Sequence, residues 1–406
     1  MHKFFLSLLA CFISIQLHSA LPLKIIGYLP TYRFSMAESI EVEKLTHLNI
    51  AFAHPNSIGD LVCAGNYQNI IQRVRSKNPD LKVMISVAGG GLTQNQKLLW
   101  KKYMSAEYRS GFISNIIRFL RSNDLDGVDM DLEWNDVDTT YAPFTRELSD
   151  SLRIYGYIFS AAFPAMKRYS VLENKDFEVF DFINIMAYDN AGPWRPNDVG
   201  QHSSLDLARR AINFWNTICE VPRDRIVLGI PCYGYDFNCR PVKGKPYSSM
   251  VSCDRFLAFE DKSDLTFYNS IPTIVEKSKL ARESCGGIML WELGQDAVAE
   301  YGDYSLLHFV FATFIENERE EFVPRSKRFR LDNTPQNLEI TITGAIQEGA
   351  YFVLQDLDGA NPRIIHFSSW SSKISVSMDD YVNGIYLLTL IEPHKSTTEK
   401  FIKIRS

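Results

Sequence analysis

Short apolar runs alternate with helix-patterned stretches along most of the chain. Lys24–Leu29, His47–Ala53, Lys82–Val87, Gly127–Glu133, Tyr157–Ala162, Phe182–Ala187, Arg225–Ile230 and Gly287–Trp291 are each rich in Ile, Val, Leu or Phe. Each is bounded by Gly, Pro, Asn or Asp, which predicts eight strands. Amphipathic segments lie between them. In Tyr108–Arg121 the residues Phe112, Ile113, Ile116, Ile117 and Leu120 recur at helical spacing, and Leu205–Trp215 and Ser270–Glu283 share the pattern. Strands alternating with helices over roughly 300 residues predict a (β/α)8 barrel, the TIM-barrel architecture. A doubly wound open sheet is the competing arrangement, but no glycine-rich phosphate-binding turn follows the first strand.

The pattern changes after the eighth helix. Glu316–Arg330 is mostly charged and interrupted by Pro324, which predicts a linker over 316–334. Beyond it, Leu338–Thr343, Tyr351–Leu357, Ile364–Phe367, Lys373–Met378, Ile385–Ile391 and Lys400–Ile404 alternate apolar and polar residues between turn signals. This predicts a small all-β sandwich over 335–406, behind a barrel over 21–315.

The first residues read differently. Lys3 is followed by an apolar run from Phe4 to Leu17 and by the small residues Ser19 and Ala20, the pattern of a signal peptide cleaved after Ala20. An exported protein is therefore expected, secreted or held at the cell surface. No other apolar stretch is long enough to span a bilayer. Of the 406 residues 46% are hydrophobic and 22% charged, an ordinary globular composition that excludes collagen, coiled coil and disorder. The net charge of −5 argues against nucleic acid or an anionic membrane as partner. Cys63, Cys219, Cys232, Cys239, Cys253 and Cys285 remain after removal of the signal peptide. An even count in an exported chain permits disulfides, Cys239–Cys253 being the local candidate, and equally permits six free buried thiols.

The chemistry concentrates in Asp126-Gly127-Val128-Asp129-Met130-Asp131-Leu132-Glu133. Alternate side chains of a strand share a face, so Asp129, Asp131 and Glu133 point one way and Val128, Met130 and Leu132 the other. In a barrel the apolar set packs under the helices and the acidic set lines the interior. Three crowded carboxyls on a buried face raise at least one pKa, which is what a general acid requires. Glu133, the last of the three, reaches furthest toward the C-terminal mouth, where barrel active sites sit. A calcium or magnesium site is the alternative use for such oxygens. An exposed acidic strand is the other alternative, and the flanking Leu125, Val128, Met130 and Leu132 argue against it; acid catalysis is the preferred reading, and neither a metal nor a cofactor is expected.

At these residues the chain resembles the glycoside hydrolase family 18 chitinases. DGVDMDLE matches their DxxDxDxE signature, with Asp126 and Gly127 as its structural opening. The resemblance runs from Lys24 to about Phe314. Gly27-Tyr28 is similar to the motif of the first strand, Phe52 to that of the second, Ser86-Val87-Ala88-Gly89 to SxGG, and Met186-Ala187-Tyr188-Asp189 to MxYD. GIPCYG and the segment around Trp291 resemble the seventh and eighth motifs.

The resemblance implies substrate-assisted hydrolysis. Glu133 would protonate the glycosidic oxygen, and the substrate's 2-acetamido oxygen would attack the anomeric carbon. Asp131 would orient the acetamido N–H and share a proton with Asp129, and Tyr188 would bind the acetamido oxygen. Asp189 would contact the distorted sugar over Trp291, with Tyr28, Phe52, Met186 and Tyr233 as pocket walls. By residue type alone, Tyr28, Phe52 and Met186 read as core residues before pocket walls.

Three positions depart from the family pattern. Ala88 replaces the first glycine of SxGG, Gly90 stands where an aromatic often follows, and Tyr235 where arginine often does. About 50 residues separate GIPCYG from the eighth strand, too few for the α+β domain some members insert there. A more open groove is expected, suited to internal cleavage. In the tail, Asn383-Gly384-Ile385-Tyr386, Gln355–Gly359 and Lys400–Ile404 resemble the C-terminal sorting domain of type IX secretion, a fibronectin-like spacer or a small carbohydrate-binding module being the alternatives. The expected reading is a monomeric, secreted, endo-acting chitinase on N-acetylglucosamine polymers or oligosaccharides, sorted by its tail through that secretion machinery. An endo-β-N-acetylglucosaminidase of N-glycan cores and a non-catalytic chitin lectin are the alternatives.

Overall fold

The structure is a computed structural model and describes residues 23–315, 329–334, 336–342, 350–356, 362–367, 373–392 and 395–403. The expected signal peptide lies outside the described residues. Eight parallel strands form the centre: β1 Lys24–Pro30, β2 His47–Pro55, β3 Lys82–Ala88, β4 Gly127–Asp131, β5 Ile158–Pro164, β6 Phe182–Met186, β7 Ile226–Pro231 and β8 Gly287–Trp291. Each pairs with its sequence neighbours, and β1 pairs with both β8 and β2, so the sheet closes on itself as a (β/α)8 barrel. A short antiparallel strand, Leu61–Cys63, extends β2.

The two faces of the strands carry separate clusters. Val128, Met130 and Leu132 are fully buried in the layer between barrel and helices, with Phe112, Ile116, Ile117 and Leu120 of helix Arg109–Ser122. The interior holds Ile26, Tyr28, Met84, Phe182, Val227 and Met289. Gly127 is required where β4 enters the barrel, because a Cβ there would lie 2.1 Å from the Ile158 carbonyl oxygen.

The connection from β7 to β8 carries short strands of its own. Tyr233–Asp236 pairs with Lys243–Pro246 and with Thr266–Phe267, and Thr266–Phe267 with Lys262–Ser263, making a small four-stranded sheet beside the mouth. Its strand KGKP has no apolar alternation and so gave no strand signal. The six cysteines are free, so the Cys239–Cys253 bridge is not formed.

The tail carries two antiparallel sheets. One orders Phe329–Asn333, Asn337–Ile342 and Lys373–Ser377; the other orders Arg363–His366, Tyr351–Asp356, Gly384–Glu392 and Lys395–Lys403. Leu338, Ile340, Phe352, Leu354, Val376, Leu388 and Leu390, from both sheets, share one apolar cluster. The linker expected over 316–334 is corrected at its end: Phe329–Asn333 is a strand, and Phe329 is buried in that cluster. Its charges, Arg330 and Asp332, alternate with Phe329 and Leu331 as on a half-buried strand. The rest of the expected linker, 316–328, and parts of the sorting-domain motifs lie outside the described residues.

Candidate active site

Strand β4 ends at Asp131, two residues short of the expected end, yet Glu133 keeps extended angles (φ −120°, ψ 156°). The alternation therefore runs on, and the three acidic side chains follow one face to the mouth. Asp129 is fully buried and accepts four hydrogen bonds. Tyr28 Oη and Ser86 Oγ donate to Oδ2 at 2.7 Å each; Ser160 Oγ and Asn184 Nδ2 donate to Oδ1 at 2.6 and 3.2 Å. Ser86, Asp129 and Ser160 are register partners on β3, β4 and β5, so one layer of the barrel supplies most of the set. Burial raises the Asp129 pKa, and the four donors oppose that rise.

Asp131 has the opposite surroundings. It is buried, and its Oδ1 has no hydrogen-bond partner among the described residues. Burial pushes its pKa well above the ordinary value, and the charges of Glu133 and Asp129 push further. With both oxygens of Asp129 already taken by donors, a proton on this pair belongs on Asp131. Glu133 is pushed up to about 7 by burial and by the Asp189 charge, against a weaker opposing bond from Trp134. At neutral pH it is therefore substantially protonated, the state a general acid needs.

Asp189 follows β6 with a left-handed backbone (φ +62°). Tyr233 Oη and Tyr235 Oη donate to its Oδ1 at 2.5 and 3.0 Å. Its own N–H donates to His202 Nδ1 at 3.4 Å. That acceptor role leaves the His202 proton on Nε2, which donates to the Tyr233 carbonyl at 3.1 Å. Tyr188 is buried to 9% exposure, its ring edge-on to Tyr233. The Trp291 ring meets Tyr28 at 5.4 Å and Phe52 at 5.7 Å, and Met186 joins the same cluster.

The residues expected at the site are thus brought together, with one change of role. Tyr28 is 1% exposed and donates to Asp129, so it supports the carboxylate from inside the barrel and is not a wall of the pocket. Gly90 lies against the acid: a Cβ there would come within 2.5 Å of Glu133 Oε1. A side chain at that position would require the Glu133 carboxyl to shift. Ala88 adopts φ +76°, the backbone a glycine would take without strain.

Sequence reasoning passed over several residues. Ser160 and Asn184 are inward polar residues in apolar strands, the same exception that singled out β4. Tyr235 takes part in holding Asp189. Trp134 and Trp194 are about half exposed at the mouth, next to Glu133 and against Tyr235 respectively. Trp134 has φ +56°, its N–H donates to Tyr169 Oη at 3.0 Å, and Lys167 lies over its ring. Among the described residues no group of three or more His, Cys, Asp or Glu side chains is placed to hold a metal ion, and no helix is long and apolar enough to cross a membrane.

A closed barrel with a carboxyl of pKa about 7 at its mouth, backed by a second protonatable carboxyl and a third locked in place, has the layout of an acid-catalysed hydrolase. The family model of Glycosyl hydrolases family 18 matches residues 24–296, and the chain belongs to that family. Among solved structures, the GH18 chitinase ChiB from the chitin utilization locus of Flavobacterium johnsoniae is 38% identical, with a TM-score of 0.71 over 73% of this chain and 95% of that one. A chitinase from Bacteroides thetaiotaomicron is 25% identical, with a TM-score of 0.65 over 75% and 100%. Endochitinase 1 of Metarhizium anisopliae is 27% identical over 55% of this chain and 63% of its own length. Chitinase 1 of Aphanocladium album is 29% identical over 44% and 47%. The chain thus spans about half to two thirds of the length of these curated relatives.

Proposed function

We propose that this protein is an endo-acting chitinase that hydrolyses β-1,4 bonds between N-acetylglucosamine units by substrate-assisted catalysis with retention. The observation that carries the reading is the division of labour among the three carboxyls. Glu133 holds a proton near neutral pH. Asp129 has four donors and no free oxygen with which to act as a nucleophile. Asp131 has an unpaired buried oxygen that would accept the substrate's acetamido N–H.

In this mechanism Glu133 gives its proton to the glycosidic oxygen as the C1–O bond breaks. The acetamido carbonyl oxygen bonds to C1 from the other face and gives a cyclic oxazolinium ion, whose N–H stays hydrogen-bonded to Asp131 Oδ1. Glu133, now a carboxylate, takes a proton from water, and the water oxygen opens the ring at C1. Tyr188 would donate to the acetamido oxygen and Asp189 would bind the sugar. Trp291 would form the floor, with Phe52 and Met186 beside it. The exposed rings of Trp134 and Trp194 suit stacking on neighbouring sugars.

Chitin as substrate is supported by the 38% identity to the F. johnsoniae chitinase over nearly all of that chain. Internal cleavage is supported by Gly90, which sets no aromatic beside the acid. Export, a monomeric state, and a tail that serves sorting and takes no part in the pocket belong to the same proposal. Export and sorting rest on the residue 1–20 pattern and the tail motifs, and the tail's exclusion from the pocket on its own apolar cluster, although its Ile385 packs with the barrel's.

The test is to incubate the protein with chitin hexasaccharide, its fully deacetylated counterpart and an N-glycoprotein, and to follow products by mass and by proton NMR. Internal cleavage of the acetylated chain, with the β-anomer released first, is expected. Equal turnover of the deacetylated chain would exclude the acetamido nucleophile. Release of glycan from the glycoprotein with no chitin cleavage would make the enzyme an endo-β-N-acetylglucosaminidase.

A further inference from the structure

Lys277, on helix Ile271–Ser284 outside the barrel, has no exposed surface. A lysine is almost never buried completely unless partners stabilise its ammonium. Its Nζ donates to Ser203 O, Ser203 Oγ and Asn269 Oδ1, all at 2.7 Å, so each ammonium proton has an acceptor. Burial works against the charged form, pushing the pKa down to about 7. The Asp261 charge and three short acceptors work for it. A neutral amine would turn a lone pair toward one of those oxygens.

The contact continues inward. Asn269 Nδ2 also donates to Ser203 O at 2.8 Å, so Ser203 is held from two sides. Ser203 Oγ, accepting from Lys277, has a single proton to give, and gives it to the Ala187 carbonyl at 2.7 Å. Ala187 immediately precedes Tyr188 and Asp189. His202, next to Ser203 and fully buried, meets the Asp189 N–H and the Tyr233 carbonyl. The segment 202–203 is therefore a plate between the outer helix and the turn that carries Tyr188 and Asp189. Lys277 is the charge that fixes it.

We propose that Lys277 is a positioning residue for hydrolysis: through Ser203 it fixes the Ala187 carbonyl and so the placement of Tyr188 and Asp189 over the reacting sugar. The proposal rests on the assignment of Tyr188 and Asp189 to the substrate. Misplacement of groups aligned with the reacting atoms is felt in the chemical step more than in overall affinity for a long oligosaccharide.

The test compares Ser203→Ala, Lys277→Met, the double variant and Tyr188→Phe on chitin hexasaccharide, with rates expressed per folded protein by circular dichroism. Ser203→Ala cuts only the last link and keeps two of the three Lys277 acceptors, so it remains informative if Lys277→Met folds poorly. Ser203→Ala is expected to lower kcat about tenfold with KM changed less than about twofold. Lys277→Met is expected to lower it at least as far, and the double variant no further than Lys277→Met alone. Lower melting temperatures with kcat within about twofold of the parent, while Tyr188→Phe is slow, would overturn the proposal and leave Lys277 a purely structural residue. An unimpaired Tyr188→Phe would overturn it too, and would identify the assignment of Tyr188 to the substrate as the fault.

Discussion

At the closed end of the barrel Asp126 accepts from the Val83 N–H and from Arg75, each at 2.8 Å, with Lys82 nearby, and Asp181 accepts from the Phe159 N–H at 2.8 Å. At the mouth, five residues further along the chain, Asp131 keeps an oxygen without a partner among the described residues, and Glu133 faces the Asp189 charge with no ion pair among them. The same residue type is thus paired at one end and left exposed to like charge at the other. Pairing stabilises the fold; its absence leaves a proton on a carboxyl where chemistry needs one. Asp129 lies between the two regimes, buried like the mouth groups and satisfied like the closed-end ones.

The largest effect that can break this comparison is on turnover. Glu133→Gln keeps the shape of the side chain and loses its proton, so kcat/KM on chitin oligosaccharides should fall roughly 10²–10⁴-fold with oligosaccharide binding retained. Steady-state kinetics together with calorimetric binding would check both halves. Near-normal turnover would remove Glu133 from the chemistry.

The same substitution should act on stability with the opposite sign from its counterpart at the closed end. The folded pKa of Glu133 is raised above the ordinary 4.5 to about 7. Its contribution to stability is therefore fully present below about pH 4.5 and is lost as pH rises through about 7. At pH 8 Glu133→Gln should be more stable than the parent, on the order of 1–3 kcal/mol, and the difference should shrink toward zero at pH 4. Urea unfolding at the two pH values measures it; a less stable variant at pH 8 would contradict the raised pKa.

Asp126→Asn should destabilise by about 1 kcal/mol, because it weakens the partly exposed pairs with Arg75 and Lys82 while an amide oxygen can still accept from Val83. Activity should be unchanged, since Asp126 lies at the far end of the strand. A slow but stable Asp126→Asn would blur the division between the two ends.

Much of this was legible in the sequence because it depends on local order. The eight apolar runs mark the barrel strands to within two residues at either end, and the alternation in DMDLE separates the helix-facing from the interior side chains. What escaped depends on partners distant in sequence. Nothing near Asp129 indicates that Tyr28, Ser86, Ser160 and Asn184 converge on it, so Tyr28 looked like a pocket wall. Lys277 gave no signal on an amphipathic helix where lysine is commonplace. The sheet at Tyr233–Phe267 was hidden by charged and glycine-containing segments, in which backbone pairing rather than apolar periodicity defines the strand, and the alternating strand at Phe329–Asn333 by the run of charged residues before it.

The most direct test of the central claim is the pH profile of kcat/KM on a chitin oligosaccharide, which reports the essential groups of the free enzyme. A protonated Glu133 predicts an alkaline limb with its midpoint at about 7, activity being lost as the acid ionises. A limb near the ordinary glutamate value of about 4.5, or activity carried undiminished to pH 9, would contradict it.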